Sequence, residues 1–125
     1  MASARLMRLL SRLAARDLAT AERRAAEAAA NLRSMARNVR VLDGYTRDLS
    51  AALAGAQSGY DFAVTMGFRA SGIRAGGDAA AAMDRGQGMQ RAALDRLANE
   101  LQRRDAIASA ADAIAAGAER VRARR

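Results

Sequence analysis

Residues 14–53 read AARDLATAERRAAEAAANLRSMARNVRVLDGYTRDLSAAL. Counting from Ala14 in alternating steps of four and three visits Leu18, Ala21, Ala25, Ala28, Leu32, Met35, Val39, Leu42, Thr46, Leu49 and Leu53, and Thr46 is the one polar residue met. An apolar residue every 3.5 positions is the seam of a coiled coil, in which one narrow stripe of a helix faces a partner helix. Carrying the seam back to Leu10 and Met7 takes two consecutive steps of four, a stutter that locally unwinds the supercoil. Leu6, Leu9 and Leu13 widen the apolar face at that end. One helix from about Ser3, a suitable N-cap residue, to about residue 55 accounts for the pattern.

The stretch that follows, GAQSGYD over 55–61, carries the turn signal. Gly55 and Gly59 offer the left-handed backbone that helix ends favour, and Ser58 with Asp61 three residues on is arranged as a capping box. Helical composition resumes at about residue 60 and continues to about 124. Glycines at 67, 72, 76, 77, 86 and 88 weaken it, each by up to about 1 kcal/mol relative to Ala. Gly76–Gly77 before Asp78 is where an interruption is expected. From Met89 the pattern strengthens through Leu94, Leu97 and Leu101, and after Arg103–Arg104–Asp105 it resumes at Ile107, Ala111, Ile114, Ala118 and Val121. A turn centred near residue 57 would set Leu13 opposite Leu101, Leu6 opposite Ala108 and Leu42 opposite Gly72. The expected fold is therefore all-α, a single domain over residues 1–125 forming an antiparallel two-helix coiled-coil hairpin: arm one about 3–55, turn 55–59, arm two about 60–124.

Composition supports this. Of 64 hydrophobic residues 35 are Ala, four are aromatic and seven are Val or Ile, too few large or β-branched side chains for a sheet core. Pro is absent. So are Cys and His, which removes thiol chemistry, the usual soft metal ligands and the commonest general base, so no enzyme and no cofactor is expected. The longest run without charge, Leu49 to Tyr60, is twelve residues, short of the roughly 20 that a membrane-spanning helix needs. The Arg-rich opening MASARLMRLLSRLAAR has the look of a transit peptide, but its periodicity continues beyond Asp17, which favours the first turns of the long helix and a cytoplasmic protein.

All 21 basic residues are Arg, against 13 acids, and the net charge of +8 is concentrated at the two ends of the chain. A hairpin brings Arg5, Arg8, Arg12 and Arg16 beside Arg120, Arg122, Arg124 and Arg125, with Glu119 as the one acid. Such a tip favours an acidic partner, although two solvated basic ends would look the same. The half nearer the turn holds every aromatic residue. Leu42, Tyr45 and Leu49 share a stripe there; Leu42 and Leu49 also lie on the seam, whereas Tyr45 lies beside it and is expected to be exposed. Phe62 and Phe68, six residues apart, do not share a line along the helix, and at least one is expected to pack across the turn.

Three features together resemble the FliJ family of flagellar type III export proteins, short cytoplasmic antiparallel coiled coils. They are the basic, Leu-rich start LMRLLSRLAARDLATAERRAAEA; the segment VLDGYTRDLSAAL; and the order of parts after it, a short turn, a YDF pair and a long Gln- and Arg-containing second helix. The chain departs from the family in its shorter second arm and in its glycines after Phe68. What the resemblance implies is a non-enzymatic component of bacterial flagellum biogenesis and protein export. It would sit in the cytoplasm, peripheral to the inner-membrane type III secretion apparatus. It would bind and promote the hexameric export ATPase through the tip residues Arg5, Arg8, Arg12, Arg120 and Arg122. It would contact the cytoplasmic domain of the export-gate membrane protein through Leu42, Tyr45, Leu49, Phe62 and Phe68, with export chaperones as further partners. The alternative reading is an Arg-rich helical nucleic-acid-binding protein. The high charge supports it, whereas the interleaved acids and the lack of a reader motif or of aromatics among the basic segments oppose it. A third reading has the N-terminal amphipathic helix lying on anionic lipid.

Overall fold

The computed structural model describes residues 2–125, and they form two helices: α1, Ala2–Ala54, and α2, Gly59–Ala123. The two long helices pack against each other as a helical hairpin. The chain divides into two compact units, Met1–Glu27 with Arg91–Arg125 (unit 1) and Ala28–Gln90 (unit 2). No described helix is long and apolar enough to cross a membrane.

The connection closes tightly. The Gly55 and Ala56 amides donate to the Ala52 and Leu53 carbonyls at 3.1 and 3.2 Å, i to i−3 bonds that satisfy carbonyls otherwise orphaned at the end of α1. No described glycine takes a positive φ, so the left-handed cap expected at Gly55 or Gly59 is not used. At the start of α2 the Ser58 hydroxyl accepts a hydrogen bond from the Asp61 amide at 3.0 Å, the Ser half of the expected capping box.

All twelve seam positions of α1 from Ala14 to Leu53 are shielded from solvent, fully at Ala14, Leu18, Ala21 and Ala25 and partly at the other eight. In unit 1 these small or medium residues face a stretch of α2 whose shielded positions are Ala93, Leu97, Glu100, Leu101, Ile107, Ala111 and Gly117. Unit 2 reverses the sizes. There α1 supplies Leu32, Met35, Val39 and Leu42, while the shielded line of α2 is Gly72, Gly76, Ala79, Met83 and Gly86. Gly86 lies so close to α1 that a Cβ on it would stand 2.7 Å from the Met35 sulfur and 3.5 Å from Leu32 Cδ1.

Two expectations are corrected. The helix does not break at Gly76–Gly77, because α2 runs unbroken from Gly59 to Ala123. Gly72 and Gly86 on either side are buried against α1, and that packing holds the intervening turn in the helix despite its low propensity. The register also differs. Gly72 faces Tyr45 and Thr46 rather than Leu42, about one helical turn along, with distances of 3.3 and 3.1 Å from a Cβ built on it. In unit 1 Asp17 meets Arg103 at 2.6 Å. Leu6 and Leu13 are 56% and 49% exposed, and Ala108 is exposed too, so the expected pairings of Leu6 with Ala108 and of Leu13 with Leu101 do not form a core.

Candidate docking surfaces

In unit 1 the ion pairs among the described residues are Arg103 with Asp17, Arg103 with Glu100 at 3.5 Å, and Arg104 with its neighbour Asp105 at 3.2 Å. The hydrogen bond that Arg103 donates to Asp17, more than anything else, raises the affinity of the Arg103 guanidinium for its proton. Glu100 is set into the seam of α2. Its Oε2 atom is buried without a hydrogen bond, and the 3.5 Å approach of Arg103 compensates it only electrostatically.

The tip arginines stand apart from these pairs. Arg5, Arg8 and Arg12 surround Leu9 in an open recess of about 320 Å³ on the outer surface of α1. Arg8 also borders a second open groove of about 320 Å³, together with Met7, Ile114 and Arg122, so the structure brings the first turns of α1 and the last turns of α2 to one place. Arg120 turns back on its own helix, its Nε donating to the Ala116 carbonyl at 3.4 Å. Arg120 and Arg122 lie in the last turn of α2, where the helix dipole favours cations. At the start of α1 the dipole opposes them, and the first turn holds no acid.

In unit 2 Leu42 and Leu49 are half-buried seam residues. Tyr45 is 44% exposed beside the seam, as expected, but its ring also lies over Gly72. Phe68 sits one turn before Gly72, so it occupies the same flank as Tyr45, with Val64 a turn further back. Phe62 belongs to the other flank. It is two turns before Arg69, whose Nε donates to Ser50 on the opposite side of the α1 seam at 3.0 Å. Both Phe rings stay open, 50% exposed at Phe62 and 54% at Phe68, so neither is closed into a core across the turn. The five residues read from sequence thus separate into a seam pair, an exposed pair on one flank and a lone ring on the other. Sequence reading missed Val64, and its i, i+4 spacing to Phe68 was the available signal.

On the outer face of α1 in unit 2, Arg33, Arg37 and Arg40 line a further open recess of about 390 Å³ with Ala36. Comparison with protein-family models, with curated proteins and with solved structures finds no match.

Proposed function

We propose that the chain is a non-enzymatic adaptor of the FliJ type, which docks on the flagellar export ATPase ring through its basic unit 1 and on the export-gate cytoplasmic domain through the Tyr45–Phe68 flank of unit 2. One observation carries the reading. Arg5, Arg8 and Arg12 are exposed and form no ion pair among the described residues, and Arg5 stands in the first turn of α1, where the dipole disfavours cations. An acidic partner surface would complement these unpaired charges. Leu42 and Leu49 support the second surface from within the seam, and Phe62 would serve it only from the opposite flank.

The test replaces Arg5, Arg8, Arg12, Arg120 and Arg122 with Gln and measures stimulation of a flagellar export ATPase, with helicity followed by circular dichroism. Stimulation by the parent chain that the variant loses while remaining helical is the expected result. Equal stimulation by parent and variant would remove the tip from the mechanism.

The Arg33, Arg37 and Arg40 recess favours a second reading, contact with nucleic-acid phosphates. Duplex DNA binding that weakens steeply with salt and is lost in Arg33→Gln/Arg37→Gln/Arg40→Gln would support it over the first.

A further inference from the structure

Unit 1 carries opposite charges on its two outer faces. On α1 the positions turned furthest from the seam include Arg5, Arg12, Arg16 and Arg23, with Glu27 as the one acid. On α2 the corresponding positions include Asp95, Asp105, Asp112 and Glu119, with Arg120 as the one cation from Asp95 onward. All of these are exposed. Arg5 to Arg12, Arg16 to Arg23, Asp105 to Asp112 and Asp112 to Glu119 are each seven residues apart, the coiled-coil period, with a step of four between Arg12 and Arg16 and of ten between Asp95 and Asp105. Among them Asp105 alone has an opposite charge in ion-pair range, its own neighbour Arg104.

The apolar residues between these charges differ in size. Around the arginines stand Leu6, Leu9 and Leu13, 49–56% exposed. Among the acids stand Ala98, Ser109, Ala113 and Ala116, also exposed. One face is therefore cationic with large apolar knobs, and the other anionic with a floor of small residues. Two faces complementary in charge and in side-chain size meet the requirements of helix-on-helix packing, and both belong to the same chain.

We infer that a second copy of this chain occupies these faces: the Arg/Leu face of α1 in one copy lies along the Asp/Ala face of α2 in the next. The contact is heterologous, since two different patches meet. Each copy retains one free half, and association continues beyond a dimer. Two copies of the Arg/Leu face cannot meet each other, because four cations would oppose four. An anionic lipid surface would also accept the Arg/Leu face, but it leaves the acidic face of α2 without a role. The inference is independent of the proposed function, although a partner on Arg5 and Arg12 would compete with self-association.

The experiment is sedimentation velocity of the full chain at low salt and at about 0.5 M salt, where the Debye length falls to a few ångströms. Three samples are compared: the parent, variant one (Arg5→Glu, Arg12→Glu, Arg16→Glu) and variant two (Asp105→Arg, Asp112→Arg, Glu119→Arg). The parent should associate at low salt and dissociate at high salt. Each variant alone should stay monomeric, because its two faces carry the same sign. An equimolar mixture should associate again, since the acidic α2 face of variant one meets the basic α1 face of variant two. Leu9→Ala in the parent background should weaken association about tenfold, a truncation that leaves every charge in place. A parent that is monomeric at about 100 µM in low salt overturns the inference. So does a mixture of helical variants that fails to associate, or a monomeric parent that binds vesicles of anionic phospholipid. If either triple variant loses its helical signal, the Leu9→Ala result and the parent's salt dependence decide.

Discussion

Gly86 and Gly77 are the same residue type in the same helix with opposite consequences. A side chain at 86 would run into Met35 and Leu32, whereas a Cβ at 77 meets nothing within 4 Å. Gly86→Leu should therefore destabilise the protein by about 1–3 kcal/mol through overpacking. Gly77→Ala should stabilise it by about 0.5–1 kcal/mol, because the better helix former incurs no clash. Thermal denaturation of the two variants checks this, and a Gly86→Leu variant as stable as the parent would mean that the close approach at Gly86 is not formed. The sequence shows that both are glycines in a helical context and nothing that separates them. The difference is set by which residues of α1 lie opposite, and that depends on the register. Tyr45 illustrates the same limit: its place beside the seam can be counted from Leu42 and Leu49, but its contact with Gly72 cannot.

At the scale of the element, the seam of α1 was legible. Its apolar side chains alternate with charged ones strongly enough that every position counted from Ala14 to Leu53 is shielded, while Asp17, Thr20, Ala29, Ala36 and Gly44, partly shielded beside it, are not reached by the count. The facing line of α2 was not legible, because in unit 2 it is made mostly of Gly and Ala, which are also spread over the outer faces and leave little periodic contrast. The register error of about one turn follows from that, since a weak pattern lets one helix slide past the other without an evident penalty. Local chemistry was more informative at the start of α2. Ser58 accepts from the Asp61 amide, and Ser58→Ala should lower stability by about 1 kcal/mol. Urea denaturation should show this as a lower midpoint at unchanged slope. An unaltered midpoint would mean that solvent caps the helix as well as Ser58 does.

At the scale of the whole molecule, burial is divided unequally. Unit 1 holds all four fully shielded apolar side chains, Ala14, Leu18, Ala21 and Ala25, together with the cross-helix pair of Asp17 and Arg103. In unit 2 the fully shielded residues are the glycines at 72 and 86, which contribute no side chain. Unit 2 leaves Val41, Tyr60, Phe62, Phe68, Ile73 and Met89 at least half exposed, against Leu6, Leu9, Leu94 and Val121 in unit 1. Local opening is governed by how much apolar surface a segment removes from water, so unit 2 should open at lower free energy than unit 1. Trypsin reports the difference directly, because both units carry arginines inside their helices and cleavage requires local unfolding. Cleavage after Arg69, Arg74 and Arg85 should precede cleavage after Arg16, Arg23 and Arg96. Gly77→Ala should slow the first set more than the second, since the substitution raises the helix propensity of the segment that opens. Equal rates at the two sets, or earlier cleavage at Arg16 and Arg23, would place the weaker packing in unit 1 and reverse the assignment. The expected order also suits the proposed division of labour. A stable basic unit keeps Arg5, Arg8 and Arg12 in fixed geometry toward an acidic partner. A loosely packed aromatic unit can adjust Tyr45 and Phe68 to a second surface, and partner binding there should in turn slow cleavage after Arg69 and Arg74.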